Sequence, residues 1–236
     1  QVLASSEDAA VRKGVCRNIA ELGREALPYL NEVVSDPEQP WYVVRNLVGI
    51  IGEIRAPYSA EVISHLVSHS HPKVREEALV ALQKLLGSGI EPVLIHALND
   101  TDLQVVHRAI AMLGALRSRH SGALSFYLKA LRPDSQYSDG TRAQVCVALG
   151  LLGEVRLTED ITTVNVLAEI LARKPGRKLL SIGKKASSSE SSAVRVAAAR
   201  ALAKMDTEEA IDILKEYEKD KDDEVANVAK EALQRK

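Results

Sequence analysis

Seven copies of one short pattern run through this 236-residue chain, and a chain built that way must first fold as a stack of like units. Each copy opens on a β-branched residue, sets small apolar residues four and five places on, and closes in a run resembling Ala-Leu-Gly. The copies are anchored at Val11, Val43, Val74, Val105, Thr141, Val194 and Val225, and successive anchors lie 32, 31, 31, 36, 53 and 31 residues apart. A period within about 20–50 residues is that of a solenoid, in which each unit buries its apolar face only against its neighbours. The product is an extended surface for holding something.

Within a copy the apolar positions recur at helical spacing, as in Val74, Ala78, Ala81, Leu82 and Leu85, the stripe of an amphipathic helix. Capping residues stand three places before several anchors, at Asp8, Asp102, Ser138, Ser191 and Asp222, and mark the starts of these A helices. A second periodic run follows each one, from Ala26, Ile90 and Ala210 among others, with Pro28 and Pro92 in first turns where a missing N–H does no harm. These are the B helices. Val and Ile are frequent, but the spacing and run lengths favour helix, so no sheet is expected. The repeats fall near 7–36, 37–69, 70–100, 101–133, 134–172 and 191–219, with a terminal half repeat at 220–236 and an insertion at 173–190. All belong to one stack over 1–236.

Aromatic residues make up only 3% of the chain, so Ala, Val, Leu and Ile must fill the core and base-stacking platforms cannot be a main theme. With 31 basic against 32 acidic residues, the chain lacks the basic footprint of a general nucleic-acid binder. Cys16 and Cys146 each sit five places past an anchor, where other copies carry small apolar residues, and four repeats separate them. They are read as reduced core residues of a reducing compartment, the cytoplasm. No signal peptide and no membrane-spanning apolar run is evident. The first residue is Gln, which points to a piece of a longer chain.

Val74-Arg75, Ala78, Ala81-Leu82 and Leu85, followed by Pro92, Leu94, Ala97, Leu98 and Asp100, resemble the HEAT repeats. The likeness is greatest to the short bacterial form that also occurs in phycobilisome-lyase-like proteins. Comparable sets recur over nearly the whole chain. The resemblance implies an all-α, right-handed α-α superhelix of about six to seven stacked helix pairs, A helices outside and B helices lining the concave side. The Arg after the anchor is replaced by Val44, Val106 and Ala226 in three copies, so any ion pair it makes is not uniform.

Aligned B helices place Glu32, His65, His96, Lys129, Glu169 and Glu216 at one equivalent, solvent-facing position. On the implied geometry they form a ladder for a partner, with charge near His65 and His96 that changes on mild acidification. The insertion carries Arg173, Lys174, Arg177, Lys178, Lys184 and Lys185 with no acid before Glu190, then Ser187, Ser188, Ser189, Ser191 and Ser192. Such a run suits phosphate groups or an acidic partner. Leu179, Leu180 and Ile182 suggest that part of it docks on the solenoid. From Asp206 to Lys236 the balance reverses to 11 acidic and 6 basic residues, a polar cap for the stack. His65, His69 and His71 give a weak metal pattern, and no metal ligand set is assigned. Trp41, beside Pro40, reads as packed against its neighbour.

No phosphate-binding Gly-rich loop, His-Glu-x-x-His helix or nucleophile elbow occurs, and no His precedes a Glu as in the related deoxyhypusine hydroxylases. No catalytic residue and no cofactor is assigned. The leading expectation is a noncatalytic protein-interaction scaffold with a protein partner. The alternatives are contact with nucleic acid or phospholipid through the 173–185 stretch, and phycobilin-lyase-like tetrapyrrole attachment.

Overall fold

The computed structural model describes residues 9–175 and 189–234. Contacts group the chain into two compact units, Gln1–Ala109 and Ile110–Lys236. In the first unit the A helices α1 (Ala9–Glu21), α3 (Trp41–Ile54) and α5 (Pro72–Leu86) alternate with the B helices α2 (Leu27–Ser35), α4 (Ala60–His65) and α6 (Glu91–Ala97). Helix α7 (Leu103–Ala115) begins there and ends in the second unit. The second unit continues with α8 (Ser121–Leu131), α9 (Asp139–Leu152), α10 (Thr163–Ala172), α11 (Ser192–Met205), α12 (Glu208–Glu216) and α13 (Asp223–Gln234). The fold is all-α.

The anchors do what their spacing implies: Val43, Val74, Val105, Thr141, Val194 and Val225 are all buried, and only Val11, on the first described helix, is 44% exposed. Ser138 and Ser191 cap α9 and α11 by accepting from Thr141 and Val194 N–H, while Asp102 and Asp222 accept from the residue two places on. Asp8 lies outside the described residues. Pro28 and Pro92 stand in the first turns of α2 and α6, where no intrahelical donor is lost.

The glycines of the repeat divide into two jobs. Every A-to-B turn holds one residue in the left-handed region, and it is Gly23, Gly87 and Gly153 in three turns but Arg55, Arg117 and Asp206 in the others. A side chain costs about 1 kcal/mol in the αL well that Arg55 and Asp206 occupy, whereas Gly87 and Gly153, with ψ of −126° and −166°, sit where essentially only Gly goes. Three others, Gly52, Gly114 and Gly150, lie nine places past their anchors and meet an alanine seven places past the next. A β-carbon on Gly52 would stand 3.0 Å from Ala81 Cα, one on Gly114 2.9 Å from Ala148 Cα, and one on Gly150 2.8 Å from Ala201 Cα. At these three points successive A helices approach backbone to backbone.

The Arg after the anchor ties a repeat to the entry of the next. Arg75 donates to both carboxylate oxygens of Asp100 at 2.6 and 2.8 Å and to the carbonyls of His69 and Ser70. Arg195 does the same to Asp220 at 2.7 and 2.9 Å and to the Leu171 carbonyl, with its side chain 2% exposed. In both copies the acid lies 25 residues beyond its Arg and also accepts the N–H two places on, fixing the helix start. The insertion moves this acid in the fifth repeat. Arg142 pairs in two-pronged fashion with Glu190, 48 residues away, and Glu190 accepts Ser191 N–H.

The expectation of no sheet needs one local correction. Lys174–Pro175 (β1) pairs in parallel with Ser189–Glu190 (β2), so the insertion leaves and returns at one point. The stretch Pro72–Ala97 is long and apolar enough to cross a membrane by length and composition. It is divided at Gly87, whose φ of 58° ends α5 and lets α6 fold back as the partner helix of the same repeat.

Candidate functional site: the B-helix face and the foot of the insertion

All six ladder residues, Glu32, His65, His96, Lys129, Glu169 and Glu216, are exposed, each on the outward side of a B helix whose opposite side is buried. Four of them line clefts between successive B-helix segments. In the first unit, His65 borders a cleft of about 480 Å³ with Val34, Pro37, Val62 and His69. His96 borders a smaller one of about 80 Å³ beside Arg75 and Asp100. There burial pushes the Asp100 carboxyl up, but the hydrogen bonds from Arg75 and from Asp102 N–H outweigh it and hold the group below the ordinary range. In the second unit, Lys129 and Glu169 both line a cleft of about 560 Å³ between α8 and α10, with Leu128, Leu131 and Val166 lining it and Ile161 exposed at its rim.

Of the proposed basic run, Arg177, Lys178, Lys184 and Lys185 lie outside the described residues, as do Leu179, Leu180, Ile182, Ser187 and Ser188. Lys174 is placed by its backbone alone, in β1. Arg173 is committed elsewhere. It donates to Glu190 at 3.0 Å and to Glu169 at 3.0 Å, with its side chain 9% exposed. Glu190 thus holds two guanidiniums at the foot of the insertion, and an anion arriving at Arg173 must displace a carboxylate.

Two of the three histidines of the weak metal pattern, His69 and His71, have structural work. His69 Nδ1 accepts His71 N–H at 3.0 Å and His71 Nδ1 accepts Lys73 N–H at 3.2 Å. These are the same two turns that Asp100 with Asp102 and Asp220 with Asp222 make in other repeats. His120 caps α8 likewise, through Gly122 N–H. Among the described residues no three His, Cys, Asp or Glu side chains stand together to hold a metal ion. Trp41 stacks on His71 with ring centroids 3.7 Å apart and planes 2° from parallel, a packing contact of the kind expected, although 38% of the residue stays exposed. Cys16 and Cys146 are both free, Cys16 half-buried and Cys146 buried, its thiol pushed up to about 12 by burial.

An imidazole acceptor fails once its nitrogen takes a proton. Burial pushes His69 below its ordinary range, and the charges of His71 and Arg75 add to this, against the opposing effect of the hydrogen bond with the His71 backbone. The unfolded chain then binds the proton first, near pH 6.5, so the stability contribution is full above that pH and is lost as the pH falls below it. The unfolding midpoint of the first unit, followed by Trp41 fluorescence, is expected to drop between pH 7.5 and 5.5. His69→Asn keeps an oxygen acceptor for this turn hydrogen bond, worth about 1 kcal/mol, and flattens that drop. Equal pH dependence in both proteins would exclude His69 as its source.

Pro28-Tyr29 and Pro57-Tyr58 open two successive B segments, and Tyr29 and Tyr58 are 73% and 60% exposed. Sequence reading passed over them, although the recurring Pro-Tyr pair was a visible signal.

Paired helices, a left-handed residue in each turn and a recurring Arg–acid tie define an α-helical repeat protein. The family model described as HEAT repeats matches residues 165–234. The match takes in most of α10 and the helices α11 to α13, and helix pairs of the same build recur from Ala9 onward. Among solved structures, human deoxyhypusine hydroxylase in complex with glycerol is 20% identical, with 98% of this chain and 80% of that one covered at a TM-score of 0.42. An engineered protein is 20% identical over 98% and 92% of the two chains, TM-score 0.46. A designed armadillo repeat protein is 16% identical over 98% and 95%, TM-score 0.29. No curated protein sequence matches.

Proposed function

We propose that this chain is a noncatalytic scaffold that binds a protein partner on its B-helix face. The observation that carries the reading is the placement of His65, His96, Lys129 and Glu169: exposed, at one repeat position, and lining the clefts between B segments. Repetition gives such a surface many modest contacts in register, which suits a long partner better than a small substrate. On this reading the repeats are of the short bacterial kind and act in the cytoplasm, in keeping with two free cysteines. Affinity capture from the source cell, with the intact chain and with His65→Glu/His96→Glu, tests it. The variant is expected to retain its thermal midpoint and to lose the co-purifying proteins. An unchanged set of captured proteins would remove the B face from the reading.

A further inference from the structure

The cleft between α8 and α10 in the second unit differs from the others in where its charge is left unbalanced. On the α10 side Glu169, its side chain 63% exposed, pairs with the nearly buried Arg173, which also holds Glu190. On the α8 side Lys129 is exposed and has no acidic partner among the described residues. Arg132 has one contact of 3.2 Å to Asp134, with both side chains about two-thirds exposed, an arrangement of little strength in water. Between these walls lies apolar surface. Leu131 and Val166 are buried beneath it, and Ile161 keeps 38% of its surface exposed at the rim. Asn165 spends its side-chain oxygen on the Thr162 N–H and hydroxyl, so its amide NH₂ remains a donor in the same cleft.

We infer that this cleft takes an acidic, apolar-bearing stretch of the partner in extended form. A carboxylate lies against Lys129 and Arg132, and an adjacent apolar side chain covers Leu128, Ile161 and Val166. The inference rests on the scaffold reading and specifies the partner's chemistry at one site. A volume of about 560 Å³ accommodates a few side chains of a peptide. A basic segment would place cations against Lys129 and Arg132. A nucleic-acid strand would satisfy those cations but leave the apolar floor uncovered, and no aromatic residue lines the cleft to stack a base.

The test uses the whole chain and three probes: a fluorescein-labelled heptapeptide alternating leucine with aspartate, the same peptide with lysine for aspartate, and poly(U). The acidic peptide is expected to bind saturably and the lysine peptide at least tenfold more weakly. Lys129→Glu/Arg132→Glu should weaken the acidic peptide at least tenfold, and Ile161→Asp severalfold. If the double reversal disturbs the circular dichroism or the thermal midpoint, Lys129→Ala/Arg132→Gln takes its place. Binding of the acidic peptide within twofold of wild type in the folded variant overturns the inference. So does equal binding of the lysine peptide, or displacement of the acidic peptide by poly(U) at lower concentration than by unlabelled acidic peptide. These outcomes stand apart from those of the scaffold reading, whose test replaces only His65 and His96.

Discussion

Arg195→Met is expected to destabilise the second unit by about 3–5 kcal/mol, the cost of removing one partner from a buried ion pair. The Arg195 side chain is 2% exposed, and its loss strips both hydrogen bonds from Asp220 and two more from the Leu171 carbonyl. Asp220 would then sit beside Asp222 with no guanidinium between them; in the intact chain Arg195 reaches Asp222 at 3.7 Å as well. The hydrogen bonds from Arg195 hold the Asp220 carboxyl below the ordinary carboxylate range, so the tie is complete above about pH 4 and fails as the pH drops through the lowered value. A lone charge is worse than no charge, so Arg195→Met/Asp220→Leu should recover part of the loss. Recovery stays incomplete because Asp220 also accepts Asp222 N–H at the entry to α13. Urea unfolding of the three proteins measures this. A loss under about 1 kcal/mol in the single variant would show that the Arg–acid tie is not what holds successive repeats together.

The stack was legible because its signal is repeated. One copy of the Val74 pattern is a weak helix signature, whereas seven at a near-constant period leave few alternatives. Solvent exposure of the ladder followed from helical periodicity alone, and all six residues obey it. What periodicity cannot convey is pairing between positions far apart in sequence. Asp100 is 25 residues from Arg75 and a regular spacing could have linked them, but Glu190 is 48 from Arg142, and only the fold shows that the acid has crossed the insertion. The same ignorance made Arg173 look like one more member of a basic run, when two carboxylates already hold it. The histidines misled for a different reason. His69 and His71 stand where other repeats have aspartates in a turn, a substitution that is chemically sound because both side chains offer an acceptor bonded to Cγ, Nδ1 in His and Oδ1 in Asp. Read as residue types alone, they suggest metal.

The glycines bear on close contacts between A helices, and here substitutions of the same kind should have opposite signs. In an exposed helix interior Gly→Ala normally stabilises by about 0.5–1 kcal/mol, because alanine loses less backbone freedom on folding. Gly14, inside α1, has nothing within 4 Å of where a β-carbon would stand, so Gly14→Ala should show that gain. Gly150, inside α9, meets Ala201 Cα at 2.8 Å, Ala201 Cβ at 2.9 Å and the Ala201 carbonyl oxygen at 3.3 Å. These atoms belong to the backbone or are fixed to it, so no rotamer change relieves the clash, and α9 must move away from α11. Overpacking of this kind costs about 1–3 kcal/mol, enough to outweigh the helical gain and to loosen the contact that Gly114 and Ala148 repeat in the same unit. Ala201→Gly in the Gly150→Ala background moves the small residue to the other helix and should restore part of the stability, whereas Ala201→Gly alone should only destabilise. Thermal midpoints of the four proteins measure the coupling. Additive effects would mean that the two helices do not rest on each other at this point.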